Sequence, residues 1–482
     1  MSGKWNSLGI ITIMISAGML MGCSEDPPVA PNGNNGPGDN NNDVISGDVE
    51  VYLTTGNRLL LNQRQNPVMF SGDEAAIVIE VDADQRLQEI TGFGAAMTGS
   101  SAYLIQLMEP EARHNLLTEL FDPEEGIGIS NIRLTIGSSD FSLASYSYCD
   151  VPGLENFAVP EIDRRDVIPV MKEVLEIYPD LWIMASPWSA PGWMKTSGSM
   201  HGGRLKVEHF DDFARYLKLF IQAYDDEGIP IHAITIQNEP LHETSGYPTM
   251  YMTWEDQNRF IRDHLGPLFE QEGIETDIII YDHNWDRFDY PINILNDEET
   301  RKYVVGSAFH GYGGDVNQMS LVADAHPDKE LFFTEISGGG WATDFWQNIV
   351  WNMDNIFLGS LRNHSKNAIF WNLALNEQDG PRNGGCQNCR GVVTIPATGP
   401  LSRNEEFYVL AHMARHIRPG DYRIFSTGPQ HDLNYLAFVD DEGRHKMTIV
   451  NRSQQARTFQ IRSEKGNFRY TLSGRTLGTF LW

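Results

Sequence analysis

Basic residues are scarce in this chain. Thirty-six lysines and arginines stand against 65 aspartates and glutamates, a net charge of −29. That balance argues against partners with phosphate backbones, so no nucleic acid is expected, and against anionic membrane surfaces; it suits a soluble enzyme acting on a neutral polymer. The N-terminal apolar stretch, Leu8 to Gly22, is too short to span a bilayer as a helix. Gly92-Phe93-Gly94 lacks the third glycine of a dinucleotide fingerprint, and no acidic residue is suitably placed after it. The acidic run Asp39 to Asp43 lacks the spaced ligands and terminal glutamate of a calcium loop. Cysteines number four. Cys386-Gln387-Asn388-Cys389 has no second ligand pair to complete a structural zinc site, and no thioredoxin-like context. In an exported chain its spacing reads as a local disulfide, Cys386 to Cys389, across a Gly-rich loop. Cys149 is left without a role.

What is present begins with a targeting segment. Lys4 precedes the apolar stretch, which ends Leu20-Met21-Gly22-Cys23. That ending resembles a bacterial lipobox, so residues 1–23 read as a lipoprotein signal with Cys23 as the acylated residue; the alternative is a plain signal whose cleavage removes Cys23. Residues 24–47, with Pro27, Pro28, Pro31 and Pro37 among asparagines and glycines, read as a disordered linker with too little apolar surface to offset ordering entropy. The expected location is that of an exported bacterial lipoprotein, at the outer membrane or cell surface, touching membrane only through its lipid.

At 482 residues the chain suits a large domain with a smaller module. Strand-like runs recur at Ile90 to Met97, Asn131 to Gly137, Leu181 to Ser189, His232 to Pro240, Asp277 to Asn284, Tyr303 to Tyr312, Leu331 to Ser337 and Ala368 to Leu375. Amphipathic helical patterns lie between them, as at Val207 to Tyr224 and Trp254 to Gln271. Eight such units predict an α/β fold, a (β/α)8 TIM barrel over residues 86–416. An open doubly wound sheet is the alternative. After about Ile417 the runs become short and alternating, with a hairpin turn at Asp440 to Gly443. Residues 48–85 read as strands too. A side β-sandwich is therefore expected from residues 48–85 and 417–482, built from both ends of the chain.

Two of the barrel runs end in glutamate, Glu239 after Asn238 and Glu335 after Thr334. A pair of carboxylates on two strand ends of one barrel is the minimal arrangement for cleaving a glycosidic bond. One carboxyl must hold its proton, and burial beside the other is expected to raise Glu239. The other must stay ionised, with Tyr312 and Arg133 as donors to Glu335. Asn238 stands ready for the sugar 2-hydroxyl. Asp140, Trp188, His310 and Trp371 fall at other strand ends, and tryptophan platforms suit the apolar faces of sugars.

These residues lie in seven motifs that resemble glycoside hydrolase family 30 in content and order. They are Gly92 to Thr98, Ser139 to Ser142, Ala185 through Thr196, Asn238-Glu239-Pro240, His310-Gly311-Tyr312, Thr334-Glu335 and Trp371 to Leu375. The resemblance covers nearly all of residues 48–482. It implies a retaining hydrolase with no metal or organic cofactor, Glu239 as acid/base and Glu335 as nucleophile. It further implies a sugar subsite of Asp140, Trp188, Asn238, His310, Tyr312 and Trp371. Against the family's glucosylceramidase, Gly99 replaces an acidic residue and Gly311 a tryptophan, which is expected to widen the site. The expected substrate is a neutral β-glucan or β-glucoside, with a β-1,6-glucan favoured. Glucosylceramide hydrolysis and exo-acting β-glucosidase or β-xylosidase activity are the near alternatives. A non-catalytic glycan-binding lipoprotein is the alternative of a different class.

Overall fold

The computed structural model describes residues 47–428 and 431–482. The expected signal, Cys23 and all but the last residue of the linker lie outside the described residues. Eight strands form one parallel sheet: Gly92–Ala96, Asn131–Ile136, Trp182–Pro187, Ala233–Thr235, Asp277–Asn284, Val304–His310, Glu330–Glu335 and Asn367–Asn372. Each pairs with its sequence neighbour up to the seventh, and the eighth pairs with the first. The gap between seventh and eighth is closed by a Leu331–Ser365 bridge. Trp371 N also donates to Ile336 O at 2.8 Å, and Phe333 N to Asn367 Oδ1 at 2.8 Å. The sheet is thus a closed barrel.

The period-two alternation of a strand explains what fills it. Met184, Ala233, Ile279, Ala308, Phe332 and Ile369, from six strands, form one buried apolar cluster. Trp182 stacks on Phe332 beside it. Two residues further along, the same faces turn polar, as Ser186, Thr235 and Thr334. The apolar layer carries the polar end, which is where chemistry in a barrel of this kind is built. A separate, larger core lies between strands and helices. Helix Phe210–Asp226 shows why it holds. Phe210, Phe213, Leu217, Phe220, Ile221 and Tyr224 recur every three or four residues and are buried. Burying each such side chain contributes about 1.5–3 kcal/mol. The Trp254 to Gln271 pattern is a helix interrupted at Ile261–Leu265 by a wider turn.

The side module is a nine-stranded sheet folded on its own core. Strand Glu50–Thr55 pairs with Thr476–Leu481, and Ile77–Glu89 lies between Tyr422–Thr427 and Arg457–Ser463. Both ends of the chain contribute. Two features differ from expectation. Ile77–Glu89 runs past residue 85, because its second half is polar and exposed and shows no alternation. Thr476–Leu481 reads as no strand in the sequence, because all six residues are buried and no polar face marks it. No helix among the described residues is long and apolar enough to cross a membrane.

Candidate active site

At the polar end of the barrel, Arg133 is fully buried and divides its donors among four side chains, with Nε reaching Ser186 Oγ at 3.2 Å. It donates from Nη1 to Glu335 Oε2, from Nη2 to Asp282 Oδ2 at 2.8 Å and from Nη2 to Asn238 Oδ1 at 2.7 Å. Such buried charge is tolerable only when every donor is matched. Tyr312 donates its hydroxyl to Glu335 Oε1 at 3.0 Å. Both oxygens of Glu335 therefore have donors. Asp282 accepts from Ser186 Oγ at 3.1 Å, Thr235 Oγ1 at 2.7 Å and Thr334 Oγ1 at 2.7 Å. Those hydroxyls are the polar layer described above.

Glu239 faces this assembly from just beyond the fourth strand. Its φ is +46°, and Tyr281 and Asp282 beside it are at +74° and +67°. Side chains rarely adopt such backbone, which costs of order 1–3 kcal/mol per residue and gathers at functional sites. The strain is tied in place by the Glu239 N–H bond to Asp282 O at 2.9 Å. Register shifts at Tyr281/His283, Phe333/Glu335 and Phe370/Asn372 turn the ends of strands five, seven and eight. Irregularities of this kind re-aim side chains. Oxygens of Glu239 and Glu335 and a nitrogen of His310 all lie within 4.8 Å of one another. His310 is buried, with Nδ1 3.1 Å from Glu239 Oε1 and Nε2 3.0 Å from Asp282 Oδ1.

The cleft above the pair has a volume of about 400 Å³, within the range of sites that enclose a small ligand. Trp188 and Trp371 stack on one flank, centroids 4.8 Å apart, with the Arg133 guanidinium 4.9 Å from the Trp188 ring. Asp140 stands beside them with Oδ1 unpartnered. Burial, then the charges of Glu335 and Glu239, push its carboxyl well above the usual range. Its carboxyl lines the cleft beside the two tryptophans. The Cys386–Cys389 disulfide lines this flank. Gly385 is required there, since a Cβ would lie 2.6 Å from Asp140 Oδ2.

His242, His283 and Asn284 also line the cleft, and Tyr247, 2.8 Å from His242 Nε2 through its hydroxyl, packs against the cluster of Trp188, Trp371 and Cys389. Burial holds the His283 imidazole down at about 4, so it is neutral. Trp341, 57 % exposed, stands at the mouth. It follows Gly338–Gly339, which pair with Cys389–Arg390.

Every residue expected at the site lies here, but two expectations need correction. Burial does act to raise Glu239, yet the His310 hydrogen bond and the nearby imidazoles outweigh it and bring Glu239 down to about 2. Burial, with the Glu239 charge added, raises Glu335 instead, against His310 and Arg133. The second concerns Gly311. A Cβ there would point at Ile356, Phe333 and Ile336, 3.1–3.3 Å away, in the layer behind the strands. The glycine makes room in that layer and does not widen the cleft. Sequence reasoning missed Asp282, His283, His242, Tyr247 and Trp341. Asp282 and His283 close the fifth strand, so the rule that strand ends carry chemistry would have found them.

Comparison with known proteins agrees with this geometry. Residues 90–417 match the glycosyl hydrolase family 30 TIM-barrel domain, and residues 420–480 the glycosyl hydrolase family 30 beta sandwich domain. The chain is 33% identical over 416 residues to the endo-1,6-beta-D-glucanase neg1 of Aspergillus fumigatus, covering 79% of this chain and 82% of that one. It is 30% identical over 441 residues to the lysosomal acid glucosylceramidase of Mus musculus, covering 84% and 83%. Among solved structures, the endo-beta1,6-glucanase BT3312 superposes with a TM-score of 0.86 at 35% identity, over 90% of this chain and 100% of that one.

Proposed function

The chain belongs to glycosyl hydrolase family 30, and from that premise we propose that it is an endo-β-1,6-glucanase with Glu335 as nucleophile and Glu239 as acid/base. As a member it is a glycoside hydrolase of the retaining kind. The observation that carries the residue roles is the approach of the two carboxylates, whose oxygens come within 4.8 Å. Retaining pairs stand about 5–5.5 Å apart, whereas inverting pairs leave room for a water. Glu335, with Arg133 and Tyr312 on its two oxygens, attacks the anomeric carbon. Glu239 gives a proton to the departing oxygen. Water, deprotonated by Glu239, then releases the glycosyl ester with configuration retained.

The preference for β-1,6-glucan rests on the relatives named above and on the polar lining of the cleft. His242, Tyr247, His283 and Asn284 bring hydrogen-bonding groups to the cleft wall. Such a wall suits sugar hydroxyls better than the hydrocarbon of a ceramide. The test is digestion of pustulan, laminarin, glucuronoxylan and glucosylceramide side by side, with product analysis. Oligosaccharides from pustulan are expected. Sugar released only from the lipid, or only monosaccharide from the glucan, overturns the proposal. We place the enzyme outside the cell, anchored through Cys23, on the strength of Leu20-Met21-Gly22-Cys23. Labelled palmitate should enter the wild-type protein and not Cys23→Ala.

A further inference from the structure

Asp282, His310 and Glu239 form a chain of three side chains through the floor of the site. His310 is fully buried, and among the described residues Glu239 and Asp282 are the hydrogen-bond partners of its two ring nitrogens. Asp282 already accepts from Arg133, Ser186, Thr235 and Thr334. An ionised carboxylate only accepts, so the 3.0 Å contact to Asp282 requires hydrogen on Nε2. The 3.1 Å contact from Nδ1 to Glu239 Oε1 then holds one proton, on nitrogen or on oxygen. The total charge is the same either way. Only the surroundings decide.

Those surroundings are anionic. Glu335 Oε1 lies 4.0 Å from the same nitrogen, so three carboxylates face one imidazole. Tyr312 meets the ring nearly edge-on, with centroids 6.2 Å apart. His283, 6.3 Å away, brings no charge. The Arg133 guanidinium is paired with Asp282 and Glu335. We propose that in the substrate-free enzyme the catalytic proton rests on His310 Nδ1, and that His310 is a positioning residue that passes it to Glu239 for leaving-group departure and recovers it afterwards. The inference rests on the reading of Glu239 as acid/base. Burial works against a charged ring, but Glu335, Asp282 and Glu239 outweigh it and hold His310 at about 9.

The proton balance closes. The Nδ1–H bond breaks, its electron pair stays on the ring, and an O–H bond forms on Glu239, while Nε2–H remains on Asp282. Glu239 gives that proton to the glycosidic oxygen as the C–O bond breaks and a Glu335 electron pair bonds the anomeric carbon. Forming the ester removes the Glu335 charge, one of the anions that kept the proton on the ring. In the second half Glu239 takes a proton from water. Release of Glu335 as carboxylate restores the field that draws the proton back to His310.

The state of the ring is read by ¹⁵N NMR of histidine-labelled enzyme, with the His310 signals identified by their loss in His310→Gln. At pH 7 the free enzyme is expected to show both nitrogens protonated. After trapping with a 2-deoxy-2-fluoroglucosyl donor, one should be bare. A neutral ring in the free enzyme overturns the inference. In His310→Gln the alkaline limb of kcat/KM should move at least two pH units toward acid, while a glucoside with a strongly acidic leaving phenol is spared. Equal loss at every pH marks a structural role and also overturns it. If the variant does not fold, the wild-type response to trapping decides. The free-enzyme spectrum is read whether or not glucan is cut. Active enzyme with a neutral ring refutes this inference alone, and a charged ring in protein inert on every glycan refutes the functional reading alone.

Discussion

Arg133 Nη2 donates to Asn238 Oδ1 at 2.7 Å, and this bond decides which end of the amide meets the substrate. Arginine has no acceptor, so the oxygen must face it and the Asn238 NH2 group must face the cleft. Asn238 can then donate to a sugar oxygen at the position next to the anomeric carbon, where such contacts strengthen in the transition state. Asn238→Ala should lower kcat/KM on an aryl β-glucoside by about 10–100-fold, the worth of a hydrogen bond of ~1.5–3 kcal/mol. On the 2-deoxyglucoside the same substitution should cost less than about threefold. Equal losses on both substrates would place the amide elsewhere.

Arg133 is also the group that makes two buried carboxylates compatible. Asp282 and Glu335 both lean on it. Arg133→Met removes the guanidinium from both and leaves only the His310 ring against them, and removing one partner of a buried ion pair costs about 3–5 kcal/mol. The variant should show a clearly lower denaturant midpoint and no measurable turnover. Arg133→Lys keeps the charge but loses the fork, so it should recover stability in part and little activity. A variant as stable as wild type would contradict the burial argument.

The charged ring of His310 has a thermodynamic sign. Its folded value, about 9, lies above that of a free imidazole near 6.5, so the folded state binds more protons between those limits. Its contribution is full below pH 6.5 and is lost as pH rises through 9. At ~1.4 kcal/mol per pH unit this is about 3 kcal/mol. Lys195, donating to Ser189, Met200 and Thr249 and held down at about 7 chiefly by burial, contributes with the opposite sign from pH 7 upward. The difference in Tm between wild type and His310→Gln isolates the first effect, since Lys195 is common to both. That difference should shrink between pH 6.5 and 9. A constant difference would exclude a titrating ring.

How much of this was legible before the structure follows from what each feature requires. Glu239 and Glu335 end apolar runs beside distinctive neighbours, so residue type and position along the chain are enough to find them. Eight strands are legible for the same reason. Asp282 is different. Its importance comes from which hydroxyls and which arginine converge on it across the barrel, and that depends on register and on the turned backbone at Tyr281 and Asp282. The charge order of Glu239 and Glu335 depends on His310 lying 3.1 Å from one and 4.0 Å from the other, a distance that no spacing along the chain encodes. Gly311 shows the converse. A missing side chain is visible in the sequence, but the direction in which it would have pointed is not.

Trp341 stands at the mouth of the cleft with 57 % of its surface exposed to solvent. The paired Gly338–Gly339 and Cys389–Arg390 hold its base, and Arg390 is fixed in turn by Glu405 at 2.8 Å and Glu406 at 2.9 Å. A ring held this firmly at a rim is a platform for a sugar beyond the one attacked, since aromatic faces match the apolar faces of pyranoses. Trp341→Ala removes no contact from the catalytic pair and little buried surface, so Tm should change by less than about 2 °C, as for surface substitutions within ~0.5 kcal/mol. On β-1,6-glucan oligosaccharides the loss should appear as a rise in KM of about tenfold, with kcat nearly unchanged. On a monosaccharide aryl glucoside, which does not reach the rim, both constants should stay within about twofold. A matching loss on the short substrate would show that the ring acts on the attacked sugar.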